Sequence, residues 1–132
     1  MSEQKKSLRS DLSVARGLGS AKSGVEHWAI ERLSALVLIP VSIYLVCGFM
    51  RNVVDGGYSG AVYWLQSPVS AAFTLLFLLA GLKHLAGGLQ VVIDDYIHNE
   101  SAKLSLLFIV KFACAFMALI GSLSLTKVFL GV

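Results

Sequence analysis

The sequence has few charged residues, cysteines and prolines. Asp, Glu, Lys and Arg together make up 14% of its 132 residues, whereas about 25% is usual for a soluble domain. Both cysteines lie in apolar runs, which argues against a secreted disulfide scaffold. Hydrophobic residues make up 56% of the chain, and the mean hydropathy is +0.75. A chain this small cannot bury so much apolar surface by itself, so the composition excludes a soluble domain and a disordered chain and indicates an integral membrane protein.

Three long apolar segments predict three transmembrane helices. A helix needs about 17–25 residues to cross a bilayer, and three segments are too few to close a barrel, so helices are the expected way to satisfy the backbone in lipid. The prediction is an all-α membrane fold with a membrane anchor domain at 30–132. The expected helices cover about 30–50, 69–94 and 104–129. The glycines between 50 and 68 predict a non-helical link, and a shorter link is expected at 94–103.

The distribution of Lys and Arg predicts the orientation in the membrane. Residues 1–29 form a polar head, expected on the cytoplasmic side. Seven basic residues lie in or near the head and the 94–103 link, against two on the other side. The seven are Lys5, Lys6, Arg9, Arg16, Lys22, Arg32 and Lys103, and the two are Arg51 and Lys127. The N-terminus is therefore expected inside, and a nucleic-acid partner is not, because no basic stripe with interleaved aromatics is present.

His84 is the first candidate functional residue because ionisable side chains are rare in hydrocarbon. It lies ~15 Å from the predicted end of the second helix, at 1.5 Å per residue. A neutral imidazole at that depth can bind haem iron, or it can hydrogen bond to a neighbouring helix. At 100° per residue, Gly87 and Gly88 share its stripe. They offer either a flat surface for a porphyrin or a close helix contact.

A haem with two axial ligands needs a ligand besides His84, and Met50 and Met117 stay open at this depth although neither has a distinctive setting. The sequence has three histidines, and His27 and His98 are expected near the inner membrane surface, at the wrong depth to meet iron beside His84. The simplest expectation is therefore an obligate partner subunit.

Five further ionisable residues stand at or within the predicted helices. Tyr96 can donate a hydrogen bond to a quinone carbonyl and Asp95 can relay protons, or both can simply be interfacial. Arg32 can bind a haem propionate or a lipid phosphate. Lys83 and Lys111 lie within apolar segments, where they could meet carboxylates of a partner or of haem.

The run from His84 to Tyr96, HLAGGLQVVIDDY, resembles the second helix of the small hydrophobic anchor subunit of succinate dehydrogenase (complex II). That family has a histidine, a glycine four residues later and a closing Asp-Tyr pair. His84, Gly88, Asp95 and Tyr96 fall on those positions. The stretches GLGSAKSGVEHW at 17–28 and ERLSA at 31–35 are similar to the bacterial form of this subunit.

The resemblance implies a three-helix anchor packed in a heteromeric bundle around a haem. His84 would be one axial ligand of haem b, shared with the larger cytochrome b subunit. Tyr96 would hydrogen bond to ubiquinone, with Asp95 in the same region. Electrons would arrive from a flavoprotein subunit through an iron–sulfur subunit, so succinate oxidation would occur in those partners. The implied location is the bacterial inner membrane, or alternatively the mitochondrial inner membrane.

Two other interpretations stay open at this point. One is the larger cytochrome b subunit of the same enzyme, or a fumarate reductase anchor. The other is a three-helix transport or assembly protein without a cofactor, in which Lys83, His84 and Lys111 would line a polar pathway. The Asp-Tyr ending of the second helix favours the small anchor subunit.

Overall fold

The computed structural model describes residues 24–132, apart from the side chains of residues 26 and 27. These residues form three helices, α1 (Gly24–Leu65), α2 (Pro68–Tyr96) and α3 (Glu100–Leu130). Each is long and apolar enough to cross a membrane, which confirms the predicted all-helical fold with three long apolar helices. The chain divides into two units, residues 1–30 and 31–132, and every contact described below lies within the second. Most of the predicted polar head, with five of its basic residues, lies outside the described residues.

The predicted link at 50–68 is helical up to residue 65 except at Gly57. That residue has φ 58° and ψ −141°, a combination that glycine adopts without the strain a side chain would bring. After Gly57 the helix returns along itself. The Trp64 ring covers Gly48, with 2.5 Å between the ring and the place where a Cβ would stand, and Gly60 lies against the Asn52 carbonyl. The contacts 48–64 and 52–60 are both centred on residue 56, as contacts between the two arms of an antiparallel hairpin would be. The link is therefore a helical hairpin, and the prediction of a non-helical link is corrected.

Recognisable end signals fix the bounds of α2 and α3. Pro68 begins α2 in the first turn, where its missing N–H has no helical partner to lose. The side chain of Asn99 caps α3 by accepting a hydrogen bond from the Ala102 N–H at 3.1 Å. Gly131 ends α3 in the left-handed conformation, with φ 72°. The link between the two helices is thus residues 97–99, shorter than the 94–103 expected.

The most extensive contacts between helices join α2 and α3. Gly121 allows this approach, because a Cβ there would stand 2.6 Å from the Leu78 side chain. Near the 97–99 link, the Lys103 ammonium pairs with the Asp94 carboxylate at 2.8 Å. Few apolar side chains are buried inside the described part of the chain, and many large ones are exposed. Their exposure suits helices that are surrounded by lipid.

An aromatic cluster joins α1 to the beginning of α2. It consists of Tyr44, Trp64, Ser70 and Phe73. The Tyr44 ring lies 4.5 Å from that of Phe73 and 6.2 Å from that of Trp64, between centroids. The Tyr44 hydroxyl lies 3.2 Å from the Ser70 hydroxyl, and Ser70 is 1% exposed.

Candidate functional site

The imidazole of His84 projects from α2 toward α1. Its Nδ1 lies 3.1 Å from the Ser34 hydroxyl oxygen and 3.5 Å from a carboxylate oxygen of Glu31. The His84 side chain is 43% exposed, whereas that of Glu31 is 18% exposed. The ring is therefore held by one nitrogen and is partly open on its other side. We call Glu31, Ser34, His84 and Gly87 the histidine cluster.

The hydrogen bonds of Ser34 determine which nitrogen of His84 carries the proton. The Ser34 hydroxyl donates its single hydrogen to the backbone carbonyl of Glu31 at 2.8 Å. Toward Nδ1 it can then only accept, as can an ionised Glu31 carboxylate. The network thus places a hydrogen on Nδ1, and in the neutral ring the lone pair is then on Nε2. A neutral imidazole with a free Nε2 lone pair is a metal-binding form of histidine.

The two glycines beside His84 have different surroundings. A Cβ on Gly87, which is buried, would collide with the Glu31 carboxylate, whereas a Cβ on Gly88 would meet nothing within 4 Å. Two alternatives were open for these glycines, a flat surface for a porphyrin or a close helix contact, and Gly87 makes the close contact. Gly87 is a helix-contact glycine that accommodates Glu31, and only Gly88 faces open space.

The residues predicted for the quinone lie apart from the histidine cluster. Asp95 and Tyr96 stand at the end of α2, both exposed, and Tyr96 is 76% exposed. Tyr96 is 12 residues from His84, about 18 Å along a straight helix. At 100° per residue, Asp95 lies about 20° around the helix from His84, and Tyr96 about 120°. The two groups can therefore serve adjacent sites rather than one.

Arg32 and the two lysines within the apolar segments lie on exposed surfaces. Arg32 follows Glu31 on α1 and is exposed, as are Lys83 on α2 and Lys111 on α3. Because these cations are exposed in the isolated chain, a lipid headgroup or another subunit could meet them.

Sequence reasoning did not pair Glu31 and Ser34 with His84. Their spacing of three residues places both on one face of α1. A carboxylate so near the apolar segment could have indicated that Glu31 has a polar partner on another helix. Which face of α1 meets α2 depends on how the helices pack, and the sequence pattern alone does not fix that.

Two grooves of the described residues lie away from His84. One, of about 400 Å³, lies between α1 and α2 and is lined by side chains that include Phe49, Trp64 and Phe77. Another, of about 240 Å³, lies between the start of α2 and the end of α3. No Asp, Glu, His, Lys or Arg lines either groove. Ionisable groups lie instead at the partly open face of His84.

That face suits a haem. The imidazole offers Nε2, the ring is partly exposed, and Gly88 leaves space beside it. A haem held by a histidine needs an accessible ring nitrogen and room for the porphyrin beside it.

The sequence matches the family described as the succinate dehydrogenase/fumarate reductase transmembrane subunit over residues 6–120. The chain belongs to this family. It is 31% identical over 104 residues to the succinate dehydrogenase hydrophobic membrane anchor subunit of Rickettsia bellii, covering 79% of this chain and 82% of the relative. It is 30% identical over 108 residues to the subunit of that name from Paracoccus denitrificans, covering 80% and 81%.

A more distant relative is the succinate dehydrogenase membrane anchor subunit of Reclinomonas americana, 25% identical over 92 residues. No solved structure is significantly similar to the chain. The resemblance seen in the sequence is thereby confirmed: this multi-pass membrane protein is an anchor subunit of the succinate dehydrogenase/fumarate reductase family. The family description includes both succinate dehydrogenases and fumarate reductases.

Proposed function

We propose that this anchor subunit supplies one axial ligand of a haem b and part of a ubiquinone site in a succinate:quinone oxidoreductase. The observation that carries the proposal is the arrangement of contacts around the His84 ring. Nδ1 is engaged by Ser34 and Glu31, which leaves Nε2 with its lone pair on a partly exposed ring. The second ligand would come from the larger cytochrome b subunit.

The chain's own residues would bind and orient the haem, which supplies one-electron transfer when bound. His84 would hold the iron through Nε2. Gly88, with open space beside it, would let the porphyrin lie close to α2. Arg32 would bind a propionate, because a guanidinium forms paired hydrogen bonds with a carboxylate.

The end of α2 would bind the quinone. Tyr96 would donate its hydroxyl hydrogen to a quinone carbonyl, and its exposure leaves it accessible to a ligand from outside the chain. Quinone reduction consumes two protons, and the Asp95 carboxylate, also exposed, could transfer them from water.

The remaining redox centres would lie in partner subunits. Electrons would come from succinate through a flavoprotein subunit and an iron–sulfur subunit on the cytoplasmic side. The excess of Lys and Arg near residues 1–32 and Lys103 supports that orientation in a bacterial inner membrane.

Replacing His84 tests the haem ligand. In the purified four-subunit complex, His84→Ala should change the haem absorbance spectrum and its reduction potential, because the iron loses one axial ligand. His98→Ala is the matched control, since His98 is exposed in the 97–99 link and should leave both unchanged. A His84→Ala complex with an unaltered spectrum and potential would refute the ligand assignment.

Replacing Tyr96 tests the quinone site. Tyr96→Phe should lower the rate of ubiquinone reduction about tenfold, which corresponds to the loss of a hydrogen bond of roughly 1.4 kcal/mol. Succinate oxidation with an artificial dye should stay the same, because the dye bypasses the quinone site. Tyr58→Phe, at another exposed tyrosine, is the control. Equal losses in both assays would remove the quinone role.

A further inference from the structure

We infer that Glu31 and Ser34 are positioning residues for His84, and that Gly87 is the gap that admits the Glu31 carboxylate beside the ring. The effect on haem rests on the proposed function of His84. The arrangement itself rests on three contacts: Nδ1 to Ser34 at 3.1 Å, Nδ1 to Glu31 at 3.5 Å, and the Glu31 carboxylate against Gly87.

Ser34 fixes the orientation and the tautomer of the ring. Its hydroxyl is itself held by the Glu31 carbonyl at 2.8 Å, so its oxygen presents a lone pair in a fixed direction. Nδ1–H donates to that lone pair, which directs Nε2 away from α1. Partners of this kind orient a ligating histidine and set which nitrogen binds the metal.

Glu31 adds negative charge next to the ligand. A carboxylate close to the non-ligating nitrogen makes an imidazole a stronger donor to metal. Extra electron density and a nearby negative charge both favour oxidised iron, which carries one more positive charge. The Glu31 side chain is only 18% exposed, so solvent and salt screen this charge weakly. Glu31 therefore lowers the reduction potential of the haem.

Gly87 makes the position of Glu31 possible. Any side chain at residue 87 would occupy the place of the carboxylate, so alanine there must push Glu31 away from His84. Gly81 provides the matched control, because it also lies on α2 and faces α1. A Cβ at residue 81 would meet Leu38 at 3.9 Å, an ordinary van der Waals contact.

The experiment measures haem content, reduction potential and the electron paramagnetic resonance g-values of the ferric haem in the purified complex. Glu31→Gln keeps a hydrogen-bond acceptor but removes the charge, so we expect a higher potential with unchanged haem content. Gly87→Ala should raise the potential in the same direction, and Gly81→Ala should leave it unchanged. Ser34→Ala should change the g-values, because the ring loses an orienting partner, and Ser34→Thr, which restores a hydroxyl, should return them toward those of the unmodified complex.

The outcomes separate this inference from the proposed function. If His84→Ala alters the haem but Glu31→Gln, Ser34→Ala and Gly87→Ala all leave potential and g-values unchanged, the ligand stands and the positioning roles are refuted. If His84→Ala leaves the haem unaltered, the proposed function fails and the inference fails with it. A potential raised by Glu31→Gln and Gly87→Ala but not by Gly81→Ala supports it.

Discussion

The histidine cluster and the aromatic cluster both join α1 to α2, and both depend on a glycine that lets a larger side chain approach. Gly87 admits the Glu31 carboxylate, and Gly48 admits the Trp64 ring. The contents of the two clusters differ. The aromatic cluster consists of rings and a pair of hydroxyls, whereas the histidine cluster places a carboxylate and an imidazole between two apolar helices.

The two clusters also differ in how complete they are within this chain. The hydroxyls of Tyr44 and Ser70 satisfy one another, and Ser70 is 1% exposed. His84 keeps one nitrogen for a further partner, and its side chain is 43% exposed. A cluster that satisfies its own polar atoms needs no ligand, whereas an open imidazole in a membrane protein calls for one. Under the proposed function, the aromatic cluster contributes stability and the histidine cluster binds the ligand.

The largest effect on stability is expected for Trp64→Ala. The change removes the ring that packs on Gly48 and Tyr44, and truncating a packed Trp costs about 3 kcal/mol. SDS titration of the purified complex measures the loss, with the exposed neighbour change Tyr63→Ala as control. The haem spectrum should not change. A shifted spectrum without loss of stability would reverse the assignment of roles to the two clusters.

A smaller loss is expected for Gly57→Ala, because the hairpin depends on the backbone of that residue. Its φ of 58° strains any residue with a side chain, at about 2 kcal/mol. Gly56→Ala is a closely matched control, because a Cβ at that helical residue meets nothing within 4 Å. If both variants unfold at the same SDS fraction, the hairpin does not depend on the glycine conformation.

Much of the fold was predictable because membrane helices obey one strong constraint. Their length and apolar composition follow from bilayer thickness and from the need for internal backbone hydrogen bonds. The hairpin was not predictable in the same way. The sequence shows glycines at 56, 57 and 60, but which of them breaks the helix depends on Trp64 packing on Gly48, a contact between distant residues.

The candidate site, like the fold, was predictable from the sequence only in part. Depth and residue type singled out His84, and helical periodicity placed both glycines near it. Periodicity could not separate the glycines, because their difference lies in what α1 presents to each. The Glu31 carboxylate covers Gly87 and leaves Gly88 open. The arrangement of neighbouring helices, rather than any single-helix pattern, supplies this information.

Ser70→Ala should have a modest effect that isolates the polar part of the aromatic cluster. The change leaves the Tyr44 hydroxyl without the partner it has at 3.2 Å, at about 1 kcal/mol. Tyr44→Phe combined with Ser70→Ala should be less destabilising than the sum of the single changes, because neither polar atom is then left alone. SDS titration of the four proteins gives the coupling, and strict additivity would show that the hydroxyls do not interact.

The smallest effect is expected for Asp94→Asn, which tests whether any carboxylate on α1 or α2 would act as Glu31 does. Asp94 pairs with Lys103 at 2.8 Å, but its side chain is 39% exposed. Exposed ion pairs contribute little to stability, and no contact joins Asp94 to His84 among the described residues. We therefore expect no measurable change in stability and no change in the haem potential, in contrast to Glu31→Gln. Parallel potentiometric titrations of the two variants compare their haem reduction potentials and test this expectation. If both raised the potential equally, the effect would be one of net charge, and the contact of Glu31 with Nδ1 would lose its special role.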